Sequence, residues 1–181
     1  MLMLGLIATV SSVGIFKVAT AVSVVVALPT AILISVVAPS ISSLFVSGDR
    51  VRLQKLLTWS SIAMTSGALL LSLPFFLSAP FLIKLVFGND FVDAATPLRI
   101  MCAGAVLTAT AGTAGTLLNM TGNERQVRRA SMEALISLVV ILPILIIQFG
   151  ATGAAIATVV ASLIWRIRMV RDCRRLLGLE P

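Results

Sequence analysis

Four ionisable side chains stand in or beside long uncharged stretches of this sequence: Lys17, Lys84, Arg99 and Glu133. A charge held inside an apolar span is costly and points to function unless its head reaches water. Three of the four are cations, a set that suits an anionic substrate. Lys17 and Arg99 are the candidates for a substrate cavity, and Lys84 lies at a span edge. All four also fall within a few turns of an expected helix end, where long side chains snorkel to the interface. Glu133 is the candidate structural or coupling acid, and its i,i+4 spacing predicts a pair with Arg129. Other chemistry lacks residues. There is no His, and the two cysteines, Cys102 and Cys173, lie in an apolar run and an arginine-rich tail. Neither a disulfide nor a metal pair is expected from them. No nucleotide loop or nucleophile–base set is present, so no enzyme, cofactor or metal is expected.

The elements that position these residues follow from composition. Of 181 residues, 59% are hydrophobic and 12% charged, and mean hydropathy is +1.09. A soluble domain carries about 25% charged residues. The chain is therefore expected to be a single membrane domain over 1–181, an all-α polytopic transmembrane bundle. Uncharged runs cover 18–48, 56–83, 100–123 and 134–165. A helix needs ~20 residues to cross a hydrocarbon core of ~30 Å. The last run would make a helix of ~48 Å, too long for one crossing. Gln148-Phe149-Gly150 and Gly153 divide it into two spans. Residues 1–16 are apolar but short, lack the basic start of a signal peptide, and carry a break at Ser11-Ser12-Val13-Gly14. The expected count is one partial plus five complete spans, over 1–13, 15–46, 53–82, 92–120, 126–148 and 150–174.

Basic residues orient these spans. Alternate connections hold Arg50, Arg52 and Lys55, then Arg125, Arg128 and Arg129, then Arg166, Arg168, Arg171, Arg174 and Arg175. Lys17, Lys84 and Arg99 are on the other side. Eleven cations against three place the first set and the C-terminus in the cytoplasm. Trp59 and Trp165 fall at that same face, as interfacial anchors should. The net charge of +7 thus records topology and lipid contact, and no nucleic-acid partner is expected. Small residues recur at four-residue spacing, Gly104-Thr108-Gly112-Thr116 and Gly153-Ala157-Ala161, and predict close helix packing. Pro29, Pro39, Pro74, Pro80 and Pro143 permit bends within the spans. Asp90 and Asp93 are expected to cap the following helix.

An ordered set of segments carries a resemblance. It runs from Val13-Gly14-Ile15-Phe16-Lys17-Val18-Ala19 through Ala38-Pro39 and Ser47-Gly48-Asp49 to Phe87-Gly88-Asn89-Asp90-Phe91 with Ala94-Ala95. It continues with Leu98-Arg99-Ile100, Leu117-Leu118-Asn119 and Thr121-Gly122-Asn123-Glu124, and ends at Phe149-Gly150-Ala151-Thr152-Gly153-Ala154-Ala155. Over essentially its whole length the chain resembles the polysaccharide transporters, or lipid-linked oligosaccharide flippases, of the multidrug/oligosaccharidyl-lipid/polysaccharide exporter superfamily. The resemblance implies the C-terminal lobe of a twelve-helix, two-lobed protein, entered midway through the seventh helix. It implies transport of an undecaprenyl-pyrophosphate-linked glycan, such as an O-antigen unit, across the bacterial inner membrane. Lys17 would then lie on a cavity-lining helix. The implied partner is an N-terminal lobe or a second copy. The alternatives are a multidrug/cation antiporter lobe, which would favour acidic cavity residues, and a non-transporting truncated product or accessory membrane subunit.

Overall fold

The uncharged stretches fold into long helices, the form that satisfies every backbone group within its own segment where the surroundings are apolar. The computed structural model describes the chain from Val10 to Gly178. Helix α1 spans Val10–Val46, α2 Arg50–Phe87, α3 Ala95–Ala109, α4 Ala114–Met120 and α5 Glu124–Leu177; a 3-10 segment occupies Asn89–Ala94. No strand occurs among the described residues. Four helical stretches are long and apolar enough to cross a membrane. The expected partial helix over 1–13 lies mostly outside the described residues, and those that are described, from Val10 on, belong to α1.

The break expected around Gly14 does not occur, because α1 runs through it. Gly14 serves packing instead: a Cβ there would touch the Phe91 ring at 3.4 Å. The prolines likewise leave the helices long. Pro29 lies against Gly67 of α2, where a Cβ would come within 2.9 Å of it, so this proline fills a contact between helices. Only Ser78, between Pro74 and Pro80, departs from helical geometry in α2 (φ −128°, ψ 28°). The helix expected over 92–120 is divided into the 3-10 segment, α3 and α4. Asp90 and Asp93 cap neither the 3-10 segment nor α3, which begin after Gly88 and Ala94 without a side-chain bond. The aspartate that does cap is Asp49, whose Oδ1 accepts from the Arg52 backbone N–H at 3.0 Å.

The sequence places Gly150 at a turn, and there α5 doubles back. Gly150 alone within α5 has non-helical angles (φ 54°, ψ −127°), a conformation open to glycine. Trp165 then meets Ser131, and Arg168 meets Glu133, across antiparallel arms at 124–149 and 151–177. Gly153 lets the arms close, since a Cβ there would strike the Leu145 carbonyl. Gly153, Ala157 and Ala161 are all buried, as a packing stripe requires.

Every connection except the turn between α3 and α4 reverses the chain, so the molecule has two ends. One holds the turns at Gly48 and Gly122 and the close of α5; its core joins Ile41, Leu53, Leu117, Met169 and Cys173. The other holds the start of α1, the 3-10 segment and Gly150; its core joins Ala19, Ile83, Leu98 and Cys102. Between them Met64, Ala68 and Ala109 pack together. Large apolar side chains such as Ile32, Leu70, Leu77 and Ile147 cover much of the outside, a surface whose chemistry matches lipid rather than water.

Candidate functional site: a hydroxyl-lined groove ending at Arg166

The stretch Ala111-Gly112-Thr113-Ala114-Gly115 interrupts the apolar run between α3 and α4. Gly112 takes φ +45°, and the Ser61 hydroxyl occupies the place a Cβ would need. This turn frees the Gly112 carbonyl from a helical partner. Arg166, on the second arm of α5, donates to that carbonyl from Nη1 at 3.1 Å. Its guanidinium lies 5.0 Å from the Trp165 ring centroid, within cation–π range. Trp165 donates from Nε1 to Ser131 Oγ at 3.0 Å and packs on Gly115, where a Cβ would fall 2.9 Å from the indole. One chain of contacts therefore links the interrupted helix to both arms of α5.

The Ser61 and Thr113 hydroxyls beside the turn are buried without a hydrogen-bond partner among the described residues. Such a group costs about 1–3 kcal/mol. The turn is held by packing against this cost.

A groove of about 470 Å³ opens beside Arg166; the hydroxyls of Thr108, Ser131, Thr158 and Ser162 stand in a wall otherwise made apolar by Leu135, Leu138 and Trp165. A smaller one of about 180 Å³ shares Thr108, Thr158 and Ser162 and reaches Ser23 and Val24 of α1. The hydroxyls donate to their own helices: Thr108 to the Ala105 carbonyl at 3.0 Å, Thr158 to Ala154 at 2.8 Å, Ser162 to Thr158 at 2.9 Å. Their remaining lone pairs are acceptors. The groove thus offers acceptors for ligand hydroxyls and, at one end, a guanidinium for an anion.

The sequence candidates are not brought together. Lys17 is exposed on α1 at the end that holds Phe91, flanked by buried Val18 and Ala19. It precedes Val24 by two turns on the same helix face, so it is aligned with the smaller groove. Arg99 is exposed on α3. Helical spacing sets it on the side opposite Met101, Ala105 and Thr108, which line that groove. Lys84 is exposed one turn before Gly88. Glu133 belongs to the other end, and its partner is Arg168 rather than Arg129. Arg168 Nε lies 2.6 Å from Oε2 and Nη2 lies 2.9 Å from Oε1. The cross-arm guanidinium can grip both carboxylate oxygens, which an i,i+4 arginine would have to do from its own helix.

Arg166 is the residue that sequence reasoning passed over, as a flanking charge after the last span. Two signals mark it: it is the first charge after 134–165, and an Ala-Gly-Thr-Ala-Gly stretch inside an apolar run marks an interrupted helix. Among the described residues no group of three or more His, Cys, Asp or Glu could hold a metal ion. No protein-family model, curated protein or solved structure matches the chain.

Proposed function

We propose that this chain is one lobe of an alternating-access transporter that moves a lipid-linked oligosaccharide across the bacterial inner membrane. The carrying observation is the groove beside Arg166, open to the outside at Ser131 and Ser162, in which four hydroxyls and a guanidinium share an otherwise apolar wall. Sugar hydroxyls need acceptors, and a pyrophosphate needs a cation. An interrupted helix beside the groove suits a transport path, where freed carbonyls line a cavity. Five crossings fit the helices: α1, α2, α3 with α4, and each arm of α5. The end with eleven cations is assigned to the cytoplasm together with the C-terminus. A cation antiporter would use an acid in the cavity. Glu133, the acid of the sequence reading, stands outside the groove in a pair with Arg168. A second lobe, either an N-terminal one or another copy of this chain, would close the cavity.

The test is glycan export in a bacterium whose own flippase is deleted, with this chain supplied alongside the N-terminal lobe of a matching transporter. Arg166→Ala should cut export roughly tenfold or more at equal protein level, and Arg166→Lys should keep part of it. Lys17→Ala should lower export as well, because an ammonium in line with the groove would meet the anionic carrier. Full export by Arg166→Ala would remove the groove from the path.

A further inference from the structure

Glu124 opens α5 with the acid that the helix dipole favours, but Arg125, Arg128 and Arg129 follow within the first six residues and leave these turns net basic. They are exposed and form no ion pair among the described residues. Their i,i+3 and i,i+4 spacing sets like charges side by side, which further destabilises the helix. Glu133, the acid on the same face, is held by Arg168. A surface depression of about 580 Å³ runs from the three arginines over Met132 to Ile136, with Glu133, already paired with Arg168, also on its wall. A second, of about 340 Å³, continues from Arg129 to Arg175 on the other arm and is of mixed charge, since Glu133 and Asp172 line it with Arg129, Arg168 and Arg175. Met132, Ile136 and Val140 extend the same face as an exposed apolar stripe.

We propose that Arg125, Arg128 and Arg129, with the apolar stripe of Met132, Ile136 and Val140, bind one anionic phospholipid at the charged end of α5. Its phosphate lies among the guanidiniums and an acyl chain lies along the stripe. The bound anion offsets the repulsion and the unfavourable dipole that the bare helix carries. A free phosphate uses the cations only, whereas this face couples cations to an apolar path more than two turns long. The lipid is a resident of the rim, independent of whatever the bundle moves.

The full chain, purified in detergent, is titrated with phosphatidylglycerol, with phosphatidylcholine and with inorganic phosphate. Bound lipid is counted by native mass spectrometry. Three variants are compared: R125Q/R128Q/R129Q, R125K/R128K/R129K and, at another corner of the same end, R50Q/R52Q/K55Q. Circular dichroism checks that each is folded. Wild type should hold phosphatidylglycerol roughly tenfold better than phosphatidylcholine. The first variant should lose that preference, and the lysine variant and the Arg50 variant should keep most of it. Equal loss in the two glutamine variants would overturn the proposal in favour of a diffuse positive surface. So would displacement of the lipid by millimolar phosphate, or a wild type without preference.

Discussion

Replacing Gly112 by alanine tests the interrupted helix that frees the carbonyl for Arg166. Two costs follow from the geometry. A left-handed φ of +45° at a residue with a side chain costs about 1–2 kcal/mol. The new methyl would also fall on the Ser61 hydroxyl and within 3.0 Å of Ser61 Cβ. Overpacking of that kind costs about 1–3 kcal/mol. Gly112→Ala should therefore destabilise by about 2–5 kcal/mol. Ser61→Ala alone should have the opposite sign. It removes a buried hydroxyl without a partner, a gain of about 1 kcal/mol. In the double variant most of the steric cost disappears and the backbone cost of about 1–2 kcal/mol remains. The cycle should thus show a coupling of about 1 kcal/mol or more between the two sites. Stability is read by dodecyl sulfate titration in mixed micelles, followed by circular dichroism and by fluorescence of Trp165, which packs on Gly115. A continuous helix through residues 110–113 gives the reverse result, because glycine to alanine inside a helix gains about 1 kcal/mol. A stabilised Gly112→Ala variant would refute the turn and, with it, the Arg166 contact.

The other predictions concern the arms of α5 and the orientation. Gly153→Ala should open or unfold the hairpin, since its methyl meets the Leu145 carbonyl and stands 3.2 Å from the Ile146 nitrogen. The Trp165–Ser131 hydrogen bond should then be lost, read as a shift in Trp165 fluorescence relative to wild type. Glu133→Gln should cost only about 0.5–1 kcal/mol in the same titration, because the pair with Arg168 is nearly half exposed. A loss several times larger would mean that the pair is shielded by lipid or by another subunit. Reporter fusions after Lys55, Arg129 and Arg175 should report the cytoplasm, and fusions near Asn89 and Gly150 the outside. A cytoplasmic report at Asn89 would reverse the order of crossings.

Sequence alone determined what depends on one-dimensional spacing. Long uncharged runs require helices because an apolar surrounding satisfies the backbone only internally. Gly150 was legible as a turn because 134–165 is too long for one crossing and glycine is the residue that tolerates its φ of 54°. The two-sided distribution of cations was legible as well, since each reversal of the chain assigns a loop to an end. The tertiary structure decided what depends on the neighbour opposite. Spacing marks Gly14 as a break and Gly112 as one of a packing stripe, and the structure exchanges the two roles. Gly14 faces the Phe91 ring and stays helical, whereas Gly112 meets the Ser61 hydroxyl and turns. Glu133 had an arginine at i+4 N-terminal spacing in Arg129, yet the hairpin delivered Arg168 with two donors aligned. Arg166 ended a span on paper, and only the fold of α3 and α4 set a free carbonyl within its reach. Helix formation is local and spacing exposes it. The partner of a charge, or the room beside a glycine, belongs to a residue tens of positions away, and packing alone brings that residue near.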